Sequence, residues 1–237
     1  MNDNHLIKIL CAGAVKEGVR ACAELFREQT GIGFDLEHAI GPEIHSRLNA
    51  GTAVADLVAM PQNGFATMIE AGQFAPRNVS RVGVVLVAGA IPVGAREPDF
   101  GTVEAFIASV QSADRLYISA ATSGRYMAGV FERLSLTERL GDRVVTWPTG
   151  HETMEALAAD TTGNAIGFGH ATEIRLHDQR GTRLVGPLPG EIGRETPYAV
   201  GLFAGAGEPV AAKQLFDLMV APRGRALFAE TGVSVPA

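Results

Sequence analysis

The chain has 237 residues, 46% of them hydrophobic, and a net charge of −6. That is ample for a buried core and indicates one large domain or two small ones. Lys and Arg are scattered without a basic run, which argues against nucleic acid and anionic membrane as partners.

"MNDNHLIKIL" has no basic start, no apolar stretch of signal length and no small-residue cleavage site. With Met1 as the native start, a cytoplasmic protein is expected; with a signal removed, a periplasmic one. No run approaches 18 apolar residues, so no membrane insertion is expected. Leu6 to Leu10 already reads as a first strand, followed by a helix from about Lys16 to Gln29 with apolar Val19, Cys22, Ala23 and Phe26. Cys11 ends the strand's apolar run and Cys22 lies in the helix, and both read as reduced core thiols.

"FDLEHAI" is the next strand, then a helix over 43–49 stopped by Gly51. "ADLVAM" is a short buried strand, then a helix over 65–71 stopped by Gly72. Three βα units in succession imply a largely parallel sheet.

"RVGVVLVAGAIPVG", 81–94, breaks this rhythm with a long β-branched run. A second series follows: helix 102–110, strand 115–119, helix 124–135, strand 143–147, helix 151–159, and strands 165–168 and 183–186. "TPYAVGLFAG", 196–205, is a second long strand, and helices over 210–220 and 223–230 close the chain.

Two long strands between two βα sets predict an α/β protein of two lobes joined by crossing strands, with a cleft between the lobes. Lobe one takes 1–82 plus 200–237 and lobe two takes 83–199, with hinges near 82–88 and 196–203.

The strand-to-helix turns carry the chemistry. Ligands of parallel sheets bind beyond the carboxyl ends of strands. There the first-turn N–H groups of a helix lack partners and carry partial positive charge. Small residues let an anion approach the backbone. Gly13, Ala14 and Val15 form one such turn, and Gly41 with Pro42 at helix entry forms a second. Thr122-Ser123-Gly124 forms a third, with Thr122 or Ser123 as N-cap and Arg125 and Tyr126 directly after. Thr149 with Glu152 reads as a capping box, followed by Thr153. Four such turns over two lobes predict a small anionic ligand.

"LIKILCAGAVKEGVRACAELFREQTG", "GPEIHSRLNAGTAVADLVAM", "ISAATSGRYMAGVFERLSL", "AIGFGHATEI" and "LVGPLPGEI", in this order, resemble the molybdate-type solute-binding proteins of ABC transporters. These are a branch of the type II periplasmic binding protein fold. The resemblance implies an oxyanion held between lobes by hydroxyls and backbone N–H groups. The matching positions are Gly13, Ala14, Gly41, Ser123, Gly124, Glu152 or Thr153, and Phe168. Two turns and one residue depart from the family pattern: Gly13-Ala14 and Ile40-Gly41 stand where serines are usual, and Phe168 where a tyrosine hydroxyl is usual. Near the turns lie Lys16, Arg20, Arg47 and Arg125, with His45, His151 and His170. Arginine suits bidentate carboxylate recognition, so a di- or tricarboxylate fits this inventory better than a symmetric tetraoxyanion.

The same branch resembles aconitate isomerase, which makes a cytoplasmic, cofactor-free isomerase the alternative to solute capture. His170 and His151 are then the candidate bases, with His45 and Glu43 after them. A cytoplasmic ligand sensor is a third class; it would act through a partner. No nucleophile elbow, HExxH, CxxC or nucleotide fingerprint occurs, so neither cofactor nor metal is expected. Expected partners are a small anionic ligand and, for an exported protein, an ABC importer; a monomer or weak dimer is expected.

Overall fold

A computed structural model describes residues 6–178 and 180–235. Strand β1 is Ile7–Ala12, leading through a 3-10 turn at Gly13–Val15 into helix α1, Lys16–Thr30. Strand β2 (Phe34–Ala39), helix α2 (Gly41–Asn49), β3 (Leu57–Pro61) and α3 (Phe65–Glu70) follow. Strand β4 is Phe74–Pro92; it starts seven residues before the expected 81, because 74–80 continues the extended run without a turn residue in the left-handed region. Next come α4 (Val103–Ser112), β5 (Arg115–Ser119), α5 (Thr122–Arg133), α6 (Thr137–Leu140), β6 (Val144–Trp147) and α7 (Gly150–Ala158). Then β7 (Ala165–His170), α8 (Ala171–Arg175), β8 (Thr182–Pro187), β9 (Glu195–Phe203), α9 (Pro209–Val220) and α10 (Pro222–Glu230) complete the chain. The short helices α6 and α8 have no counterpart in the sequence reading, since four or five residues are too few to show a helical period.

The chain divides into two compact units, Met1–Val85 with Thr196–Ala237, and Leu86–Glu195. In unit one, β1 lies between β2 and β3 in parallel, and β9 runs antiparallel beside β3. Strand β3 is buried along Leu57–Met60, as a strand covered on both faces must be. Its core gathers Ile9, Val19, Phe26, Phe65, Phe74, Tyr198 and Phe228. Asp56 ties this unit together from within. Its carboxylate is 2% exposed and accepts from Lys8 N–H (2.8 Å) and Glu208 N–H (3.0 Å), the latter being the N-cap residue of α9.

In unit two, β5 runs parallel to β6 and β7, and the last part of β4 runs antiparallel to β7 and β8. Alternation along β5 sorts its side chains. Leu116 and Ile118 join Met127, Val130 and Phe131 of α5; Tyr117 joins Met154 and Leu157 of α7. Burying each large apolar side chain contributes about 1.5–3 kcal/mol, so these two stripes fix α5 and α7 on opposite faces of the sheet. The ends of β5 and the starts of both helices are thereby set by core packing. Among the described residues no helix is long and apolar enough to cross a membrane.

Candidate functional site

The junction of β5 and α5 is where unit two is built most tightly. Gly124 sits in the first turn of α5, directly on the end of the strand. A Cβ there would lie 1.8 Å from the Ser119 carbonyl oxygen and 2.5 Å from its nitrogen. Only glycine permits this approach, and its φ is not in the left-handed region, so space alone demands it.

Thr122 is the first helical residue, and the N-cap is Ala121, which has no side-chain cap. The expected cap by Thr122 or Ser123 is therefore corrected: the helix starts one or two residues earlier than a hydroxyl cap requires. Its first regular bond runs from Arg125 N–H to Ala121 O (3.0 Å), leaving Thr122 and Ser123 N–H without an acceptor in the helix. Beneath this turn, Ser119 and Ser123 are each 1% exposed, and neither hydroxyl has a partner among the described residues. Two buried hydroxyls left unsatisfied cost about 1–3 kcal/mol each, so this junction carries polar groups that a hydrogen-bonding partner would stabilise.

The start of α7 differs. The capping box is present: Thr149 Oγ1 accepts from Glu152 N–H (3.2 Å), and Glu152 Oε2 accepts from Thr149 N–H (3.0 Å) and Oγ1 (2.8 Å). Thr153 is fully buried and donates to Thr149 O (2.7 Å). Glu152 and Thr153 are thus spent on the helix's own terminus. Glu173 Oε2 lies 2.6 Å from where a Gly150 Cβ would be, and 3.5 Å from His170 Nδ1. His151 bonds His177 (2.9 Å) and faces Glu155 (3.2 Å).

In unit one, Ala14 and Val15 are buried and Gly13 is half-buried. Gly41 opens α2, and Pro42 is its second residue, one place beyond the expected entry position. Most of the expected cations are already matched. Lys16 and Arg20 face Glu17 (both 3.7 Å); Arg47 grips Glu37 with two bonds (2.6 and 2.9 Å) and lies 3.6 Å from Glu43. That hydrogen-bonded pair holds the Glu37 carboxyl below its ordinary range and raises Arg47. His45 is bonded to Thr67 and Asn49 (3.1 Å each). Of the cations expected at the turns, Arg125 alone forms no ion pair among the described residues, and it is exposed.

Two further expected residues lie in packing roles. Phe168 is fully buried inside β7, with Phe100, Phe106 and Phe131 around it at 5.9–6.1 Å. Its side chain is core, because β7 is covered on both faces. Tyr126 donates to Ile192 O (3.0 Å), and Arg194 stacks on its ring at 4.9 Å. The serine that sequence reasoning missed is Ser119. As the fifth residue of an apolar strand it looks like an ordinary strand end; a polar residue on the inward period was the available signal. Cys11 and Cys22 are free and buried, and burial pushes both thiols up to about 12. They are not nucleophiles at neutral pH. Among the described residues no group of three or more His, Cys, Asp or Glu is placed to hold a metal ion.

Comparison with known proteins places this architecture. A family described as bacterial extracellular solute-binding protein matches residues 7–234. A relative from a Pseudomonas species named aconitate isomerase is 24% identical over 238 residues, covering 98% of this chain and 88% of that protein. The periplasmic molybdate-binding protein of Azotobacter vinelandii superposes with a TM-score of 0.79 at 14% identity, covering 98% of this chain and all of the other. The sulfate-binding protein SubI of Mycobacterium tuberculosis H37Rv gives 0.74 at 14% identity, covering 97% and 86%. Such distant structures share the fold, as the sequence reading expected.

Proposed function

Since the chain belongs to the bacterial extracellular solute-binding proteins, we propose that it captures a small oxyanion or di- or tricarboxylate at the β5–α5 junction. The observation that carries this reading is the pair of buried hydroxyls of Ser119 and Ser123, unpartnered among the described residues, beneath first-turn N–H groups of α5 that have no acceptor in the helix. Hydroxyl and amide donors bind an anion without a fixed countercharge, and the helix terminus supplies partial positive charge. Arg125, exposed in the same turn and without an ion pair among the described residues, offers a fork to a second carboxylate. The similar structures are of a molybdate-binding and a sulfate-binding protein, and both anions are small oxyanions, which supports the class. The family match supports capture outside the cytoplasm for an ABC importer, and cell fractionation tests it.

Trp147 makes the test direct. It is the chain's single tryptophan, 38% exposed, and its carbonyl accepts from Ala120 N–H (2.7 Å) beside the junction. Titration with molybdate, sulfate, citrate and cis- and trans-aconitate is followed by its fluorescence. Ser123→Ala removes an unsatisfied hydroxyl, so the free protein gains stability while affinity falls by about tenfold. An anion that binds wild type and Ser123→Ala equally would remove the junction from the site.

A second reading has its own observation: the relative named aconitate isomerase spans nearly the whole chain, and His170 lies against Glu173. A histidine with an adjacent carboxylate can move a proton beside a bound carboxylate. NMR of cis-aconitate incubated with the protein reads turnover; an unchanged spectrum leaves capture as the activity.

A further inference from the structure

The first turn of α7 and the turn after α8 meet through two histidines. His151 Nδ1 and His177 Nε2 are 2.9 Å apart, and the rings are 4.8 Å apart. His151 is on the surface, with Nε2 facing Glu155 Oε1 at 3.2 Å. His177 is 3% exposed, and its Nδ1 is buried with no partner among the described residues.

A nitrogen–nitrogen hydrogen bond needs one proton, and the surroundings say which ring supplies it. If His151 supplied it, His177 would carry its own proton on the closed-in Nδ1, where nothing accepts it. His151 would also turn a bare Nε2 lone pair on the Glu155 carboxylate. If His177 donates from Nε2, both conflicts vanish: its Nδ1 is bare, and His151 Nε2–H donates to Glu155. Both rings are neutral in that arrangement.

We propose that His151 and His177 form a proton-gated latch that holds the turn after α8 on the first turn of α7, closed near neutral pH and opened by mild acid. Protonating His151 at Nδ1 removes the acceptor. Protonating His177 puts an N–H and a charge in a closed, unpartnered position. The charged groups facing the latch are Glu155 on α7, Glu173 on α8 and Arg180 in the following turn. Arg183 on β8 is turned to Glu97 (2.8 Å), and Asp178 accepts from Leu184 N–H (3.0 Å). Burial first, then His151 and Arg180, hold His177 below the ordinary histidine range, against the opposing pull of Glu155 and Glu173.

Unfolded, His177 takes up a proton as pH falls through about 6.5; folded, it resists. Stability is therefore full above that value and is lost as pH falls below it. The latch makes no use of the proposed anion junction, so its test is independent of ligand binding. Long-range 15N–1H spectra of the labelled protein at about pH 7.5 read the tautomers. The expected result is a proton on Nε2 of both His177 and His151. Melting temperature is then compared at about pH 7.5 and about pH 5 for wild type, His177→Phe and the surface variant His151→Ala. The acid-induced drop in wild type is expected to shrink by at least half in His177→Phe and by a smaller step in His151→Ala, where burial still disfavours a charged His177, with His170 retained throughout as the common background. A proton on His177 Nδ1, or a wild-type pH response in His151→Ala, would overturn the latch.

Discussion

Replacing Gly124 by alanine tests the construction of the β5–α5 junction with an internal control on the same helix. An ordinary helical Gly→Ala change stabilises by about 1 kcal/mol, because alanine loses less backbone entropy. At Gly124 the added carbon would meet three backbone atoms of Ser119 at 1.8, 2.5 and 2.6 Å. None is the end of a flexible side chain, so α5 must lift off the strand. Overpacking of this kind costs about 1–3 kcal/mol, and contacts this short belong at the upper end. The net expectation is destabilisation by about 2 kcal/mol after the helical gain. At Gly129, on the same helix, the nearest atom to an added Cβ is the far end of Arg133, at 3.5 Å. There the ordinary gain of about 1 kcal/mol is expected in full. The two identical substitutions should differ by about 3 kcal/mol and in sign, read from urea midpoints followed by far-UV circular dichroism. Midpoints moving in the same direction would refute the claim that glycine is required by close approach. Gly124→Ala should also abolish the anion-induced change in Trp147 fluorescence, since the displaced turn no longer presents its N–H groups.

Two further outcomes are expected. Asp56→Ala leaves the buried N–H groups of Lys8 and Glu208 unsatisfied, and urea unfolding should show a loss of about 2–5 kcal/mol, with Asp56→Asn costing about half. Cys11 and Cys22, with thiols raised to about 12, should resist iodoacetamide at about pH 8 in the folded protein and react fully in denaturant, as read by intact mass; modification of the native protein would place them nearer the surface than the structure does.

The type and order of the elements, the short helices α6 and α8 apart, were legible from residues alone. Burial on both faces gives β3 and β5 their unbroken apolar runs, and a 3.6-residue stripe gives α1 and α5 theirs, so local spacing already encodes them. The capping box at Thr149 and Glu152 was legible for the same reason: its partners are three residues apart. What only tertiary structure decided was which polar groups are already satisfied. Arg47 looked free for a ligand until β2 brought Glu37 against it, and Phe168 looked like a site residue until α4 and α5 closed an aromatic core around it. Conversely, Ser119 looked like a strand end until the first turn of α5 buried it without a partner, and His177 gave no signal until α7 placed His151 beside it. Periodicity is a property of neighbours along the chain. Hydrogen-bond satisfaction depends on groups as far apart as Asp56 and Glu208, which only packing brings within reach.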